Sequence, residues 1–184
     1  MGLGKTLQTI CMLASDHFTR MQTQNEPCPT LIVCPATLCF HWSSEIKKFI
    51  IDKSLIPFVY NGSVIQRTPL KKQLLSTNLQ NLQNFAIITS YEIVRSDIEM
   101  FKNFHWNYLV LDEGHAIRNA KAKTTVAIKS LKAQHRLILS GTPIQNSVLE
   151  LWSLFDFLMP GFLGTKIKIT LQYIFFWLYA FLSA

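Results

Sequence analysis

No two of the four cysteines in this 184-residue sequence stand in a C-x-x-C spacing. Cys11, Cys28, Cys34 and Cys39 are dispersed, and Cys11 and Cys34 sit in apolar runs that predict burial. This argues against zinc and a disulfide framework and fits an intracellular, reducing compartment. A signal-peptide pattern is also lacking, because Gln8, Thr9 and Asp16 interrupt the apolar residues that follow Lys5. Acidic side chains are few: 11 Asp and Glu against 18 Lys and Arg, a net charge of +7. Such a balance favours an anionic partner such as nucleic acid. Between Glu113 and Glu150 there is no acid at all, while Arg118, Lys121, Lys123, Lys129, Lys132 and Arg136 fall there. A solvated helix face and a phosphate-contacting patch both account for that stretch.

The length suggests one domain with a proper core. Its centre is Leu109-Val110-Leu111-Asp112-Glu113-Gly114-His115, a short apolar run that meets two carboxylates, a glycine and a histidine. A run apolar on both faces is the pattern of a buried parallel strand. Acids at its end would stand at the carboxyl edge of the sheet, where open α/β folds bind ligands. Asp112 could then help to hold Mg²⁺ while Glu113 polarises an attacking water. The plainer alternative is a surface Asp-Glu pair that caps a strand.

A phosphate loop tips the balance between these two. Gly2-Leu3-Gly4-Lys5-Thr6 matches the last part of a P-loop. In that motif glycines let backbone N–H groups close on phosphates, Lys5 reaches the outer phosphates and the Thr6 hydroxyl can ligate Mg²⁺. An apolar helical run through Leu7, Ile10, Cys11, Leu13 and Ala14 follows and would aim its N-terminus at the same anion. The full motif needs a turn and a strand before Gly4, so the chain looks cut and Met1 reads as an internal methionine.

Further strands are expected at 30–34, 58–60, 85–90 and 136–140. Helices are expected after Thr37, which reads as a cap, at 66–80 on the surface, at 91–104, at about 122–131 and at 148–158. In the last of these, Leu151, Trp152, Phe155 and Leu158 form an aromatic-rich stripe, read as core or lobe interface. Strand and helix alternate, which predicts an α/β fold with a mainly parallel sheet and helices on both faces. Four strand ends then share one edge: Pro35 to Thr37, Thr89 to Tyr91, Asp112 to His115 and Ser140 to Thr142.

Five blocks in order resemble the Swi/Snf-type ATPases of helicase superfamily two. They are residues 1–6, 31–35 through His41 and Trp42, 88–91, 111–115, and the Leu-Ser-Gly-Thr-Pro-Ile-Gln-Asn run at 139–146. The resemblance covers residues 1 to about 164 and implies the first RecA-like ATP-binding lobe. Within the family, residues 149–164 and Ile117-Arg118-Asn119 look most like the members that remove TATA-binding protein from promoter DNA. The resemblance assigns ATP and Mg²⁺ to Gly2, Leu3, Gly4, Lys5 and Thr6 with Asp112, and water activation to Glu113. Ser140, Gly141 and Thr142, with His115, would link the nucleotide site to DNA movement. Pro35, Thr37, Thr89, Ser90 and Tyr91 would lie against double-stranded DNA, in phosphate rather than base contacts. A nuclear location is implied in the same way.

The family also requires a second lobe with an arginine that completes the site, and nothing here supplies it. From Thr165 the match ends in a greasy run, 165–184, whose apolar part is shorter than the roughly 20 residues that span a bilayer. It reads as non-native sequence, with a tail anchor as the alternative. Two other function classes compete with the motor lobe: a stand-alone P-loop kinase or GTPase, and a non-catalytic binding module.

Overall fold

The computed structural model describes residues 4–23, 28–77, 82, 84–141 and 148–162. Among them five strands form one parallel sheet: β1 (Thr30–Cys34), β2 (Ile56–Val59), β3 (Phe85–Ser90), β4 (Trp106–Asp112) and β5 (Ala133–Leu139). Their order is β2-β3-β1-β4-β5. The helices are α1 (Lys5–Thr23), α2 (Cys39–Phe49), α3 (Val64–Ser76), α4 (Tyr91–Ser96), α5 (Ile98–Lys102), α6 (Lys123–Lys129) and α7 (Val148–Leu158). The expected parallel α/β architecture is the one observed.

Side chains alternate across the sheet, and both sets are apolar. Leu31, Val33, Ile87, Leu109 and Leu111 pack on one side with Val94, Phe101, Ile128, Leu154 and Phe157. Ile32, Cys34, Ala86, Ile88 and Val110 pack on the other with Ile10, Leu13, Trp42 and Ile46. A strand buried on both faces must read as a continuous hydrophobic run, which is why β1, β3 and β4 were visible in the sequence. Pro57 is tolerated in β2 because that strand pairs on one side only, with β3.

Several helix readings are corrected. Thr37 caps nothing: a 3-10 turn covers Ala36–Leu38, and α2 starts at Cys39 without a side-chain cap. The helix expected over 91–104 breaks at Asp97 (φ −111°, ψ 26°) into α4 and α5. Asp97 is held there by Tyr60 Oη (2.8 Å) and Arg67 Nε (2.9 Å), contacts that no local pattern announces. Helix α3 starts at Val64, earlier than expected, behind a capping box formed by Ser63 and Gln66. It is not wholly surface-lying, since Arg67 and Leu74 are buried. Cys11 is exposed rather than buried, on the outer side of α1. In α7 the buried residues are Ser153, Leu154 and Phe157; the stripe of Leu151, Trp152, Phe155 and Leu158 is half-buried, which sets aside its core reading and leaves the interface one.

One set of polar contacts decides where the start of α1 points. The far end of α1 is tied to the starts of three strands. His17 Nε2 and Thr30 Oγ1 lie 2.8 Å apart, Asn107 Nδ2 donates to Asp16 Oδ2 at 2.7 Å, and Arg20 donates to Gln134 Oε1 at 2.8 Å. With its C-terminal half fixed at the strands' amino ends, α1 runs antiparallel to them. Lys5 is thereby delivered to the carboxyl edge.

Candidate active site

Gly4 has φ +63°, a conformation that favours glycine, and its carbonyl accepts from Gln8 N at 2.9 Å to open α1. Lys5, the first helical residue, is exposed, and Thr6 is half-buried. Gly2 and Leu3 lie outside the described residues. The Lys5 ammonium reaches the loop after β5: a Cβ added to Gly141 would lie 3.7 Å from Lys5 Nζ. Residues 136 positions apart thus meet at one edge, as the motif order predicts. Ser140 is half-buried and Gly141 exposed beside them, while Thr142 lies outside the described residues.

Asp112 ends β4 and is the most heavily braced residue of this edge. Trp42 Nε1 donates to its Oδ2 at 2.9 Å, and the backbone N–H of Glu113 donates to its Oδ1 at 3.0 Å. Tyr91 Oη donates to its backbone carbonyl at 2.7 Å. Trp42 is 1% exposed and Tyr91 5% exposed, so the donor side of both bonds is buried while Asp112 itself is half-buried. Burial, reinforced by the charge of Asp112, keeps the Tyr91 phenol protonated far above its ordinary range. In the sequence Trp42 stands out only through the His41-Trp42 part of the family blocks, which says nothing of a bond to Asp112. The signal that could have found it is an indole N–H on a buried face, which needs a partner.

The chain turns sharply after Asp112. Glu113 adopts a left-handed conformation (φ 52°, ψ 51°), and a 3-10 turn, Gly114–Ile117, follows. This turn separates the two carboxylates, which a straight strand would also point to opposite faces. Glu113 Oε2 lies 3.1 Å from His115 Nδ1, with both side chains partly open to solvent. Gly114 is buried with no room for more, because a Cβ there would come 2.3 Å from Ile138 Cγ2. The tight fit of Gly114 on β5 sets the height of the Glu113-His115 pair above the sheet edge.

The remaining rim residues divide by accessibility. Pro35 is half-buried and Thr37 exposed, whereas Thr89 and Ser90 are 0% and 2% exposed. Ser90 Oγ is occupied as the cap of α4, accepting from Ile93 N at 3.4 Å, and the Tyr91 hydroxyl is held by Asp112. Of the five candidate DNA contacts, only Pro35 and Thr37 therefore offer accessible side chains. The basic stretch after β4 is also partly internal. Lys129 pairs with Asp156 at 2.8 Å, and Arg136 donates to the carbonyls of Phe157 and Leu131.

The topology gives this edge a crevice. The connection leaving β1 runs toward β2, and the one leaving β4 runs toward β5, although β1 and β4 are neighbours. Ligands bind open α/β sheets at such a switch point. Lys5, Asp112, Glu113 and Gly141 surround it, and residues 1–170 match the SNF2-related domain. The chain belongs to the SNF2-related domain family. It is 51% identical over 180 residues to human TATA-binding protein-associated factor 172, covering 94% of this chain and 9% of that protein. It is 53% identical over 176 residues to TATA-binding protein-associated factor BTAF1 of Arabidopsis thaliana, covering 94% and 8%. The human DNA excision repair protein ERCC-6 aligns at 39% over 171 residues, 90% of this chain and 11% of that protein. Among solved structures, the Sulfolobus solfataricus SWI2/SNF2 ATPase core in complex with dsDNA superposes with a TM-score of 0.70 at 36% identity. That alignment covers 90% of this chain and 31% of the core. This SNF2-family chain thus spans roughly a tenth of the curated relatives it matches.

The donor set suits the groups an ATPase of this family uses. A carboxylate and a hydroxyl, Asp112 and Thr6, are hard oxygen ligands of the kind Mg²⁺ takes together with phosphates. The Lys5 ammonium is a mobile point charge of the kind that pairs with phosphate oxygens.

Proposed function

We propose that this chain is the ATP-binding first lobe of a DNA-dependent, DNA-translocating ATPase that displaces a DNA-bound protein, TATA-binding protein being the preferred cargo. The observation that carries the reading is Lys5 beside Gly141, two residues past Leu139, which pairs in register with the braced Asp112 at the switch point. Bound Mg²⁺ would neutralise charge on the phosphates and stabilise the transferring phosphoryl group. Gly2, Leu3 and Gly4 cradle phosphate with backbone N–H groups, while Lys5 holds the outer phosphate oxygens. Thr6 and Asp112 provide the metal ligands. Glu113, turned away from Asp112, orients the attacking water and accepts its proton, and His115 at 3.1 Å fixes the Glu113 carboxylate in place.

Pro35, Thr37 and the backbone of residues 89–91 face double-stranded DNA on the same edge. Ser140, Gly141 and Thr142 pass the state of the nucleotide to that surface, with His115. Identity falls from 51% with the human TATA-binding protein-associated factor to 39% with ERCC-6, which favours the former as the nearer kind. Contact with TATA-binding protein lies in regions outside this sequence, and a second lobe with its arginine is needed for turnover. The parent acts in the nucleus.

The test is a titration of a fluorescent ATP analogue into the 184-residue chain with Mg²⁺. Weak binding that Lys5→Ala abolishes, with no hydrolysis, is the expected result. DNA-stimulated hydrolysis by this chain alone, or strong preference for a guanine nucleotide, would overturn the reading.

A further inference from the structure

A groove of about 370 Å³ lies on the helical face, between the α4–α5 pair and α6, away from the crevice. Its floor is apolar, formed by Ile98, Val126 and Ala127. Its rim is cationic: Arg95, Lys102, Lys121 and Lys123. Helix α6 buries Thr125 and Ile128 against the core and turns Val126 outward, where it is 57% exposed. Among the described residues, only Lys102 of the four cations has an acid against it, Glu99 at 2.9 Å, and that pair is largely solvated. An open pair of this kind contributes little and exchanges readily for another carboxylate.

We propose that this groove docks an acidic peptide segment of another protein, one that seats an aliphatic or aromatic side chain on Val126 and Ile98 between flanking carboxylates. Charge complementarity carries the choice of occupant. Three cations without an acid partner, set around an apolar floor, match alternating acidic and apolar residues. A DNA backbone would use the cations and leave the floor wet. The chain's own remaining tail is no candidate, since no Asp or Glu follows Asp156. The groove begins one helical turn beyond Tyr91, so an occupant there sits beside the rim without covering it. The inference is independent of the nucleotide reading.

Fluorescence anisotropy with the full 184-residue chain tests it, using a labelled synthetic peptide of Asp and Glu around a central Leu-Phe pair. Micromolar binding is expected. Lys121→Glu with Lys123→Glu should weaken it at least about tenfold and flatten its salt dependence. Val126→Ser, which removes apolar surface without adding charge, should weaken it while leaving the binding of a polyglutamate control unchanged. Hydrogen exchange on the unaltered chain should show peptide-dependent protection of residues 95–102 and 121–130, a readout free of any variant. Absent binding, equal binding by all variants, or protection elsewhere overturns the proposal. So does displacement of the peptide by duplex DNA that itself loses affinity in the same charge reversals, which would assign the groove to the DNA backbone.

Discussion

Removing the indole N–H of Trp42 should loosen the carboxyl edge of the sheet measurably. Trp42 Nε1 donates to Asp112 Oδ2 at 2.9 Å from a position that is 1% exposed. A hydrogen bond to a charged group contributes about 1.5–3 kcal/mol, and more of it survives where water is excluded. Trp42→Phe deletes that donor and also shrinks the side chain by roughly 40 Å³, worth about 1 kcal/mol at the usual cost per unit of cavity. The expected total is about 2.5–4 kcal/mol, read as a lower urea midpoint at unchanged slope. Because two effects are mixed, Asp112→Ala and the double variant should be measured too. The cavity contribution cancels in the cycle and the hydrogen bond remains, with an expected coupling of about 1.5–3 kcal/mol. A coupling below about 0.5 kcal/mol would show that the indole and the carboxylate do not communicate, and the bracing argument would fail. The same substitution should raise the Mg²⁺ concentration needed for nucleotide binding, since Asp112 would lose one of its two side-chain restraints.

Tyr91→Phe removes the donor to the Asp112 carbonyl and should cost about 1–3 kcal/mol in urea unfolding, with little loss of packing. Gly114→Ala drives a methyl group to 2.3 Å from Ile138 Cγ2 and should destabilise by about 1–3 kcal/mol; pairing it with Ile138→Ala should recover part of the loss. Asp97→Ala strands the Arg67 guanidinium, whose side chain is 9% exposed, and should cost about 3–5 kcal/mol in the same assay. Burial opposes the Asp97 charge, but hydrogen bonds from Arg67, Tyr60 and Ser96 outweigh it and hold the carboxyl below its ordinary value. The stabilisation from Asp97 is therefore complete above the unfolded carboxylate value of about 3.9 and fades as pH falls through the lower folded value. Acid titration of the unfolding midpoint should show a shallower decline in Asp97→Ala than in the unaltered chain.

What could be read from the sequence was whatever depended on local pattern. Strands β1, β3 and β4 announced themselves because both their faces are buried, and the parallel order followed from alternation with helices. That Lys5 and the Asp112-Glu113 pair lie toward one edge of the sheet followed from the same alternation, since Lys5 opens a helix and the acids close a strand. The break at Asp97 was not, since Tyr60 and Arg67, more than 25 residues away, hold its carboxylate. Nor was the start of α2: Pro35 feeds a 3-10 turn that absorbs Thr37 before the helix begins. Burial of Thr89, Ser90 and Tyr91 arises from packing across the sheet, so a motif that marks the rim could not show which side chains leave it. The bond from Trp42 to Asp112 was not legible either, because a motif names a residue and is silent about where its indole N–H points.

The left-handed turn at Glu113 sets folding and chemistry against each other at a single residue. A side chain at φ 52° costs on the order of 1–2 kcal/mol relative to glycine, which adopts that backbone freely. Nothing in the packing of the sheet asks for a glutamate there; only the chemistry proposed for it does. A gene copy relieved of ATP turnover would therefore gain stability by mutating this codon, and its descendants should drift toward glycine or asparagine at position 113. A lineage that keeps the acid through long divergence is still using it. The identity of this one residue among close relatives is thus a record of whether the chemistry proposed for it has been kept.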